Sequence, residues 1–271
     1  MNLEILTCPN CHEKLFGESK IFKCANNHSF DLAKEGYLNL LLPNQKKTKL
    51  PGDNKEMIEN RERFLSEGFY KKMVDQILVC FENMPNPDSR LTVLDVGCGS
   101  GFFLRQIANE KMYRIGLDIS KYAMSKAARL DKGATYVVSS YKSCPIGNES
   151  IDVIINNFAP LDLSEASRVL KPGGSILKIV PYKNHMKQLA QLIYREFHPH
   201  TSDFTNLIEK FNSFDISQKK EITYECSLTR AQALNLIGMT PYFHKFKGQD
   251  IEIPESLIVT FSFLIIEVLK K

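Results

Sequence analysis

The chain has 271 residues, 35 Lys and Arg against 31 Asp and Glu, and a net charge of +4. With 43% apolar and 24% charged residues it reads as an ordinary globular chain, not a disordered one, and it can bury a core without disulfide staples. No apolar run reaches the ~18 residues that span a bilayer, so no membrane association is expected.

Met1-Asn2-Leu3-Glu4 lacks a positive stretch followed by an apolar one; a secretory signal is not expected, and the cytoplasm is the expected location. Residues 1–36 have short polar turns, three cysteines and two histidines, and read as a small domain of their own. Residues 37–88 carry an apolar patch, the basic loop Lys46-Lys47-Thr48-Lys49, the turn Pro51-Gly52-Asp53-Asn54, and apolar residues at helical spacing over 55–83, broken near Gly68. From 89 to 271 short apolar runs alternate with helical stretches. Strands are predicted at 91–96, 113–118, 136–138, 151–155 and 175–180, with helices near 102–110, 121–130 and 162–170. A helix near 184–197, a strand at 222–226, a helix at 230–237 and a strand at 258–268 complete the chain. This alternation predicts an α/β domain built on a parallel sheet covered on both faces.

Seven unevenly spaced cysteines do not make a disulfide framework. Cys8-x2-Cys11 and Cys24-x3-His28 are instead two turns, each aiming two ligands at one point. Together they form the Cys3His shell that Zn²⁺ accepts, closed and therefore structural. Cys24→Ala is expected to disorder residues 1–36 and leave the rest folded, on the premise of separate cores.

Leu94-Asp95-Val96-Gly97-Cys98-Gly99-Ser100-Gly101-Phe102 is an apolar strand, an acid, and a Gly-x-Gly-x-Gly turn opening a helix. The third glycine comes one residue earlier than in dinucleotide-binding turns, and a carboxylate two residues before the first would repel a pyrophosphate. An ammonium-bearing ligand, S-adenosylmethionine, fits better. Asp118, 21 residues after Gly97, can accept both ribose hydroxyls. Ser139 and Ser140 follow the third strand, where an adenine edge would sit. Asn156-Asn157-Phe158-Ala159-Pro160 follows the fourth; its amides could hold the methyl acceptor and Phe158 could stack on a base. His198-Pro199-His200 reads as a surface loop. The fold class expected is a class I S-adenosylmethionine-dependent methyltransferase, a Rossmann-like sheet with a small N-terminal zinc-binding domain.

The zinc spacing, the string Phe30-Asp-Leu-Ala-Lys-Glu-Gly-Tyr-Leu-Asn-Leu-Leu, Pro51-Gly-Asp53, Arg61-x-x-Phe-Leu-x-x-Gly-x-Tyr70, Val93-Leu-Asp-Val-Gly-Cys-Gly, Phe158-Ala-Pro160 and Leu170-Lys-Pro-Gly-Gly resemble the bacterial 23S rRNA (guanine-N1)-methyltransferases. The resemblance runs nearly end to end and is weakest over 201–227 and at the C-terminus. It implies methylation of N1 of a guanine in an rRNA hairpin near the macrolide site, a structural zinc, a homodimer, and cofactor contacts from Tyr70 and His185. The family's Gram-negative subgroup has Arg-Ile-Tyr-Ala-Pro where this chain has Asn156-Asn-Phe-Ala-Pro. The Lys-, Asn- and Ile-rich usage leans toward the Gram-positive, macrolide-linked subgroup. A methyltransferase of another RNA or of a small molecule, or a non-catalytic ribosome-binding protein, are the competing readings. The zinc module is expected to grip RNA. Replacing Lys46, Lys47 and Lys49 together is expected to weaken that grip without touching cofactor affinity.

Overall fold

The computed structural model describes residues 4–17, 20–46, 48, 51–84, 90–200, 211, 214–247 and 251–271. The chain opens with two tight turns, each held by its own backbone: His12 N–H donates to the Cys8 carbonyl at 2.8 Å and Asn27 N–H to that of Cys24 at 3.0 Å. His12 and Asn27 both take the left-handed conformation (φ 62° and 61°). Strands β1 (Ile21–Lys23) and β2 (Ser29–Asp31) form an antiparallel hairpin in which Phe22 faces Phe30. β3 (Tyr37–Asn39) leaves this ribbon and joins the main sheet.

Helices α1 (Lys55–Ser66) and α2 (Lys71–Glu82) follow, separated at Gly68 with φ +85°, the break the sequence predicts. Asn54 caps α1 by accepting from Met57 N–H at 3.0 Å. The alternating region then unrolls as β4 (Leu91–Val96), α3 (Phe102–Gln106), β5 (Met112–Asp118), α4 (Lys121–Leu130), β6 (Ala134–Val138), β7 (Ile151–Asn157), α5 (Leu163–Val169) and β8 (Leu170–Pro181). Its end comprises α6 (Lys187–Tyr194), β9 (Phe214–Thr229), α7 (Arg230–Gly238), α8 (Tyr242–Phe246) and β10 (Ser256–Lys270). The eight-stranded sheet has the order β3-β6-β5-β4-β7-β8-β10-β9. Its strands are parallel except β10, which runs antiparallel to both neighbours. β9 is far longer than the predicted 222–226, because its polar N-terminal half is held by the ladder to β10, from Phe214↔Lys270 onward, and not by apolar side chains.

Alternation along the strands divides the core in two. One layer gathers Val93, Val153, Ile155, Leu177 and Ile179 with Phe64, Tyr70, Ile77, Met124 and Leu236 from the helices. The other gathers Leu94, Val96, Ile115, Ile154 and Ile176 with Ala166 and Val169 of α5, and also with Leu6, Cys8, Leu15, Phe22, Cys24, Leu38 and Leu40. No helix joins β6 to β7, and the ribbon covers this face instead. Thr7 N–H donates to the Pro145 carbonyl at 2.9 Å and Gly147 N–H to that of Ile5 at 2.8 Å, stitching the ribbon to the β6–β7 connection. Tyr37 to Asn39 register with Tyr136 to Val138. The expectation of separate cores is therefore not met: the ribbon's apolar side and one face of the sheet are a single core. Cys24→Ser should lower the stability of the whole chain in one transition, by at least ~3 kcal/mol or ~6–12 °C, and calorimetry should show no surviving wild-type transition for residues 91–271.

Candidate active site and metal centre

The two turns of the ribbon bring Cys8, Cys11, Cys24 and His28 together, with their ligand atoms all within 4.8 Å of one another. Cys11 Sγ and Cys24 Sγ are 3.6 Å apart, and His28 Nδ1 lies 3.5 Å from Cys8 Sγ and 3.3 Å from Cys24 Sγ. A tetrahedral ion with bonds of ~2.3 Å to sulfur and ~2.0 Å to nitrogen requires edges of ~3.5–3.8 Å, so the donor set fits zinc. All four positions are protein ligands. His12 occupies the left-handed corner of its turn and is not part of the cluster.

The second site lies at the carboxyl ends of β4, β5 and β7. Gly97, Gly99 and Gly101 all have positive φ (78°, 55° and 74°). A β-carbon at Gly97 would overlap Ala159, and one at Gly101 would come within 2.6 Å of the Tyr136 hydroxyl. The turn therefore demands glycine twice over, by conformation and by space. Asp118, half-buried, accepts from Gly99 N–H at 3.0 Å through one oxygen and from Ser120 N–H at 2.8 Å through the other. Ser139 N–H donates to the Asp118 carbonyl at 3.0 Å, which places the end of β6 beside it. Asp95 is 1% exposed and neither carboxylate oxygen has a hydrogen-bond partner. Burial, and then the Asp118 carboxylate, push its pKa up to about 8. The Ser100 hydroxyl is likewise buried without a partner, and Phe102 starts α3 packed edge-on against Phe103. Ser140 turns into its own loop, where its hydroxyl accepts from Lys142 N–H at 3.2 Å.

Asn156 and Asn157, alike in sequence, stand on opposite faces of β7. Asn156 is tied into the fold: its amide donates to the Val96 carbonyl at 2.7 Å and its oxygen accepts from Lys178. It has no donor left for an acceptor base, which corrects its reading as a substrate contact. Asn157 shares the face of Asp95, since Asp95 registers with Ile155. Both polar atoms of its buried amide are unpartnered. Phe158 follows with φ 52°, a strained setting for an aromatic residue, and is 41% exposed. Its ring stacks on His185 at 6.1 Å and 23° and meets Tyr70 edge-on at 6.4 Å. Phe261 and Phe263 complete this aromatic cluster. His185 is buried, its Nδ1 accepts from Ser262 N–H at 3.2 Å, and burial, then the nearby His200, push its pKa down to about 3. The ring is thus neutral with its proton on Nε2.

Four features of the site escaped the sequence. Arg61 pairs with Asp53, reaches the Met239 carbonyl at 3.1 Å and lies against Gly99, so the Pro51-Gly52-Asp53 turn belongs to this site. Ser120 Oγ donates to the Asp53 carbonyl at 2.7 Å, anchoring that turn. Lys46, expected to be remote from the cofactor residues, lines a cavity with Asp53 and Ile119, next to Asp118 in the chain; Lys47 and Lys49 lie outside the described residues. Lys178 is buried among apolar neighbours; a lone lysine inside Ile176-Leu-Lys-Ile-Val180 was the available signal. His198 and His200 do not form a metal cluster among the described residues.

Fold and site together define a class I methyltransferase with a mostly parallel central sheet, extended by a zinc ribbon. The family model described as "RlmA, N-terminal" matches residues 6–49, and the model described as "Methyltransferase domain" matches residues 93–174. The 23S rRNA (guanine(748)-N(1))-methyltransferase of Streptomyces fradiae is 30% identical over 69% of this chain and 67% of its own. Bacillus subtilis YxjB, provisionally named a 23S rRNA (guanine-N(1)-)-methyltransferase, is 27% identical over 89% of this chain and 87% of its own. The YcgJ protein of Bacillus subtilis, 16% identical, shares the fold with a TM-score of 0.51 over 73% of this chain and 97% of its own. The chain belongs to the 23S rRNA (guanine-N1)-methyltransferase family, and S-adenosylmethionine is its cofactor. Among the described residues no helix is long and apolar enough to cross a membrane.

The His185 ring has a sign to its pH dependence. Its folded pKa of about 3 lies below the ordinary 6.5, so the unfolded chain binds the extra proton between those values. The stability this contributes is complete above 6.5 and is lost as pH falls toward 3. Between pH 7 and pH 5 the wild type should lose ~2 kcal/mol more than His185→Gln, measured by urea unfolding at both pH values.

Proposed function

We propose that this protein transfers a methyl group from S-adenosylmethionine to N1 of a guanine in a hairpin loop of 23S rRNA, near the macrolide site. The observation that carries the reading is the pairing of an unpartnered buried carboxylate, Asp95, with an unpartnered buried amide, Asn157, on one face of the sheet at its carboxyl edge. The first suits the cofactor's ammonium and the second a guanine edge. The relatives' names support an rRNA guanine as the acceptor. Cofactor contacts fall to Tyr70, Asp95, the 97–102 turn, Asp118, Ser139, Ser140 and His185. The resemblance to the family supports a homodimer acting in the cytoplasm.

Bound S-adenosylmethionine supplies a methyl already activated by its sulfonium, so the protein's work is chiefly alignment. Asp118 keeps acceptor capacity for the ribose hydroxyls while its backbone bonds hold it still. The glycine turn brings the backbone close. The Asn157 amide donates to guanine O6, where negative charge develops as the N1 proton passes to solvent water and N1 takes the methyl group. The exposed Phe158 ring stacks on the base, which a loop nucleotide can offer without breaking a helix. The ribbon grips RNA: Phe16, 58% exposed, is bridged to Lys23 and stands two residues from Lys14, giving cations for phosphates and a ring for a base.

Asp95 makes cofactor binding a proton-linked event. With a pKa near 8 it is mostly protonated at pH 7, and a cation bound beside it favours the carboxylate. Binding should release close to one proton at pH 7, seen by calorimetry as an enthalpy that varies with the buffer's ionisation heat. Asp95→Asn should abolish the release; a buffer-independent enthalpy in the wild type would contradict this role. The function itself is tested by mass mapping of 23S rRNA from cells with and without the gene. One N1-methylguanine in a hairpin loop should disappear with the gene, and an unchanged rRNA would point to another RNA or a small molecule.

A further inference from the structure

Lys178 sits in the middle of β8 and is 7% exposed. Among the described residues its ammonium is in no ion pair; burial alone shifts its pKa, down to about 8. A buried cation without a counter-charge is costly to keep, so what it holds matters. It donates to the Asn156 side-chain oxygen and to the Ala159 carbonyl, the latter at 2.6 Å. Asn156 passes the grip on, donating to the Val96 carbonyl at 2.7 Å and the Pro160 carbonyl at 3.4 Å. The ends of β4 and β7, the middle of β8 and the 158–160 turn are thus drawn together around one ammonium. Ala159 rests in the space that a Gly97 side chain would take. Phe158, next in the turn, is the strained, exposed ring stacked on His185.

We propose that Lys178 is a positioning residue. Through Asn156 and the Ala159 carbonyl it presses the 158–160 turn onto the glycine loop, and so sets Asn157 and Phe158 at the height where the acceptor meets the methyl group. The proposal rests on the reading that this pocket takes the acceptor base. Lys178 itself touches neither substrate, since it lies on the far face of the sheet with Asn156.

The chain has no tryptophan, so Phe158→Trp provides a single fluorescent reporter in the turn. Adding Lys178→Met to it should raise acrylamide quenching and lower anisotropy. In the Phe158 protein, Lys178→Met should leave cofactor affinity within about twofold while kcat on an rRNA hairpin falls between about ten- and a hundredfold, the cost of a misplacement of about 1 Å. Asn156→Leu cuts the same link from its other side. It carries the test if Lys178→Met does not fold, and the two changes together should cost no more than one alone. Unchanged quenching and unchanged kcat in either variant would overturn the clamp. A wild-type protein that methylates no rRNA guanine would instead overturn the acceptor assignment, and the fluorescence result would still decide whether Lys178 holds the turn.

Discussion

A parallel sheet has two faces, and each must be covered. Among the described residues one face is closed by α1, α2, α4, α6 and α7, while the other is covered by α5, Phe211, Phe214 and the zinc ribbon. Its share of that core makes the metal centre a structural member of the catalytic domain. The ribbon's cysteines are simultaneously zinc ligands and core residues: Cys8 and Cys24 are buried in the same cluster as Leu94 and Ile154. The β6–β7 connection that runs under it begins at Ser139 and Ser140, on the cofactor side, and ends against Leu6 and Thr7. Metal, sheet and cofactor edge are therefore parts of one mechanical unit.

At the carboxyl edge of that sheet three buried side chains are left unsatisfied. Asp95, Ser100 and Asn157 are buried with atoms that bond nothing, a state a fold tolerates only where something else completes it. The supporting groups beside them are fully engaged. Asn156 bridges β4 and the 158–160 turn, and Arg61 ties Asp53 to the Met239 carbonyl. This division between committed and uncommitted side chains separates scaffold from reacting surface more sharply than proximity does.

Much of this was legible in the sequence because it is written locally. The Cys-x2-Cys and Cys-x3-His spacings place ligands through single turns. Gly97 and Gly101 mark the positive φ of one local turn, though the space that also requires them is closed by the distant Ala159 and Tyr136, and the apolar runs of β4 to β8 mark strands buried on both faces. What could not be read depends on long-range pairing. β3 is three residues long and becomes a strand only because Tyr136–Val138 offers an edge. The polar half of β9 is a strand because β10 lies beside it. Asn156 and Asn157 differ only through strand alternation, and Lys178 acquires meaning only once β7 and β8 are side by side.

The β3–β6 pairing also orders events during synthesis. Tyr37 must wait for Tyr136, and the ribbon's inner side waits further for Ile146, Ile151 and Ile154. At ~5–20 residues per second the ribosome takes ~5–20 s to supply them. For that interval the four ligands are complete, while Leu6, Leu15, Leu38 and Leu40 lack the sheet face they pack against in the folded chain. Zinc can close the ribbon early and hold those leucines in a defined patch, so the growing sheet meets a preformed surface. A ribbon without metal would expose the same residues on a loose chain, where they can collapse with any neighbour. The ion thus shapes the route to the folded enzyme as well as its final state.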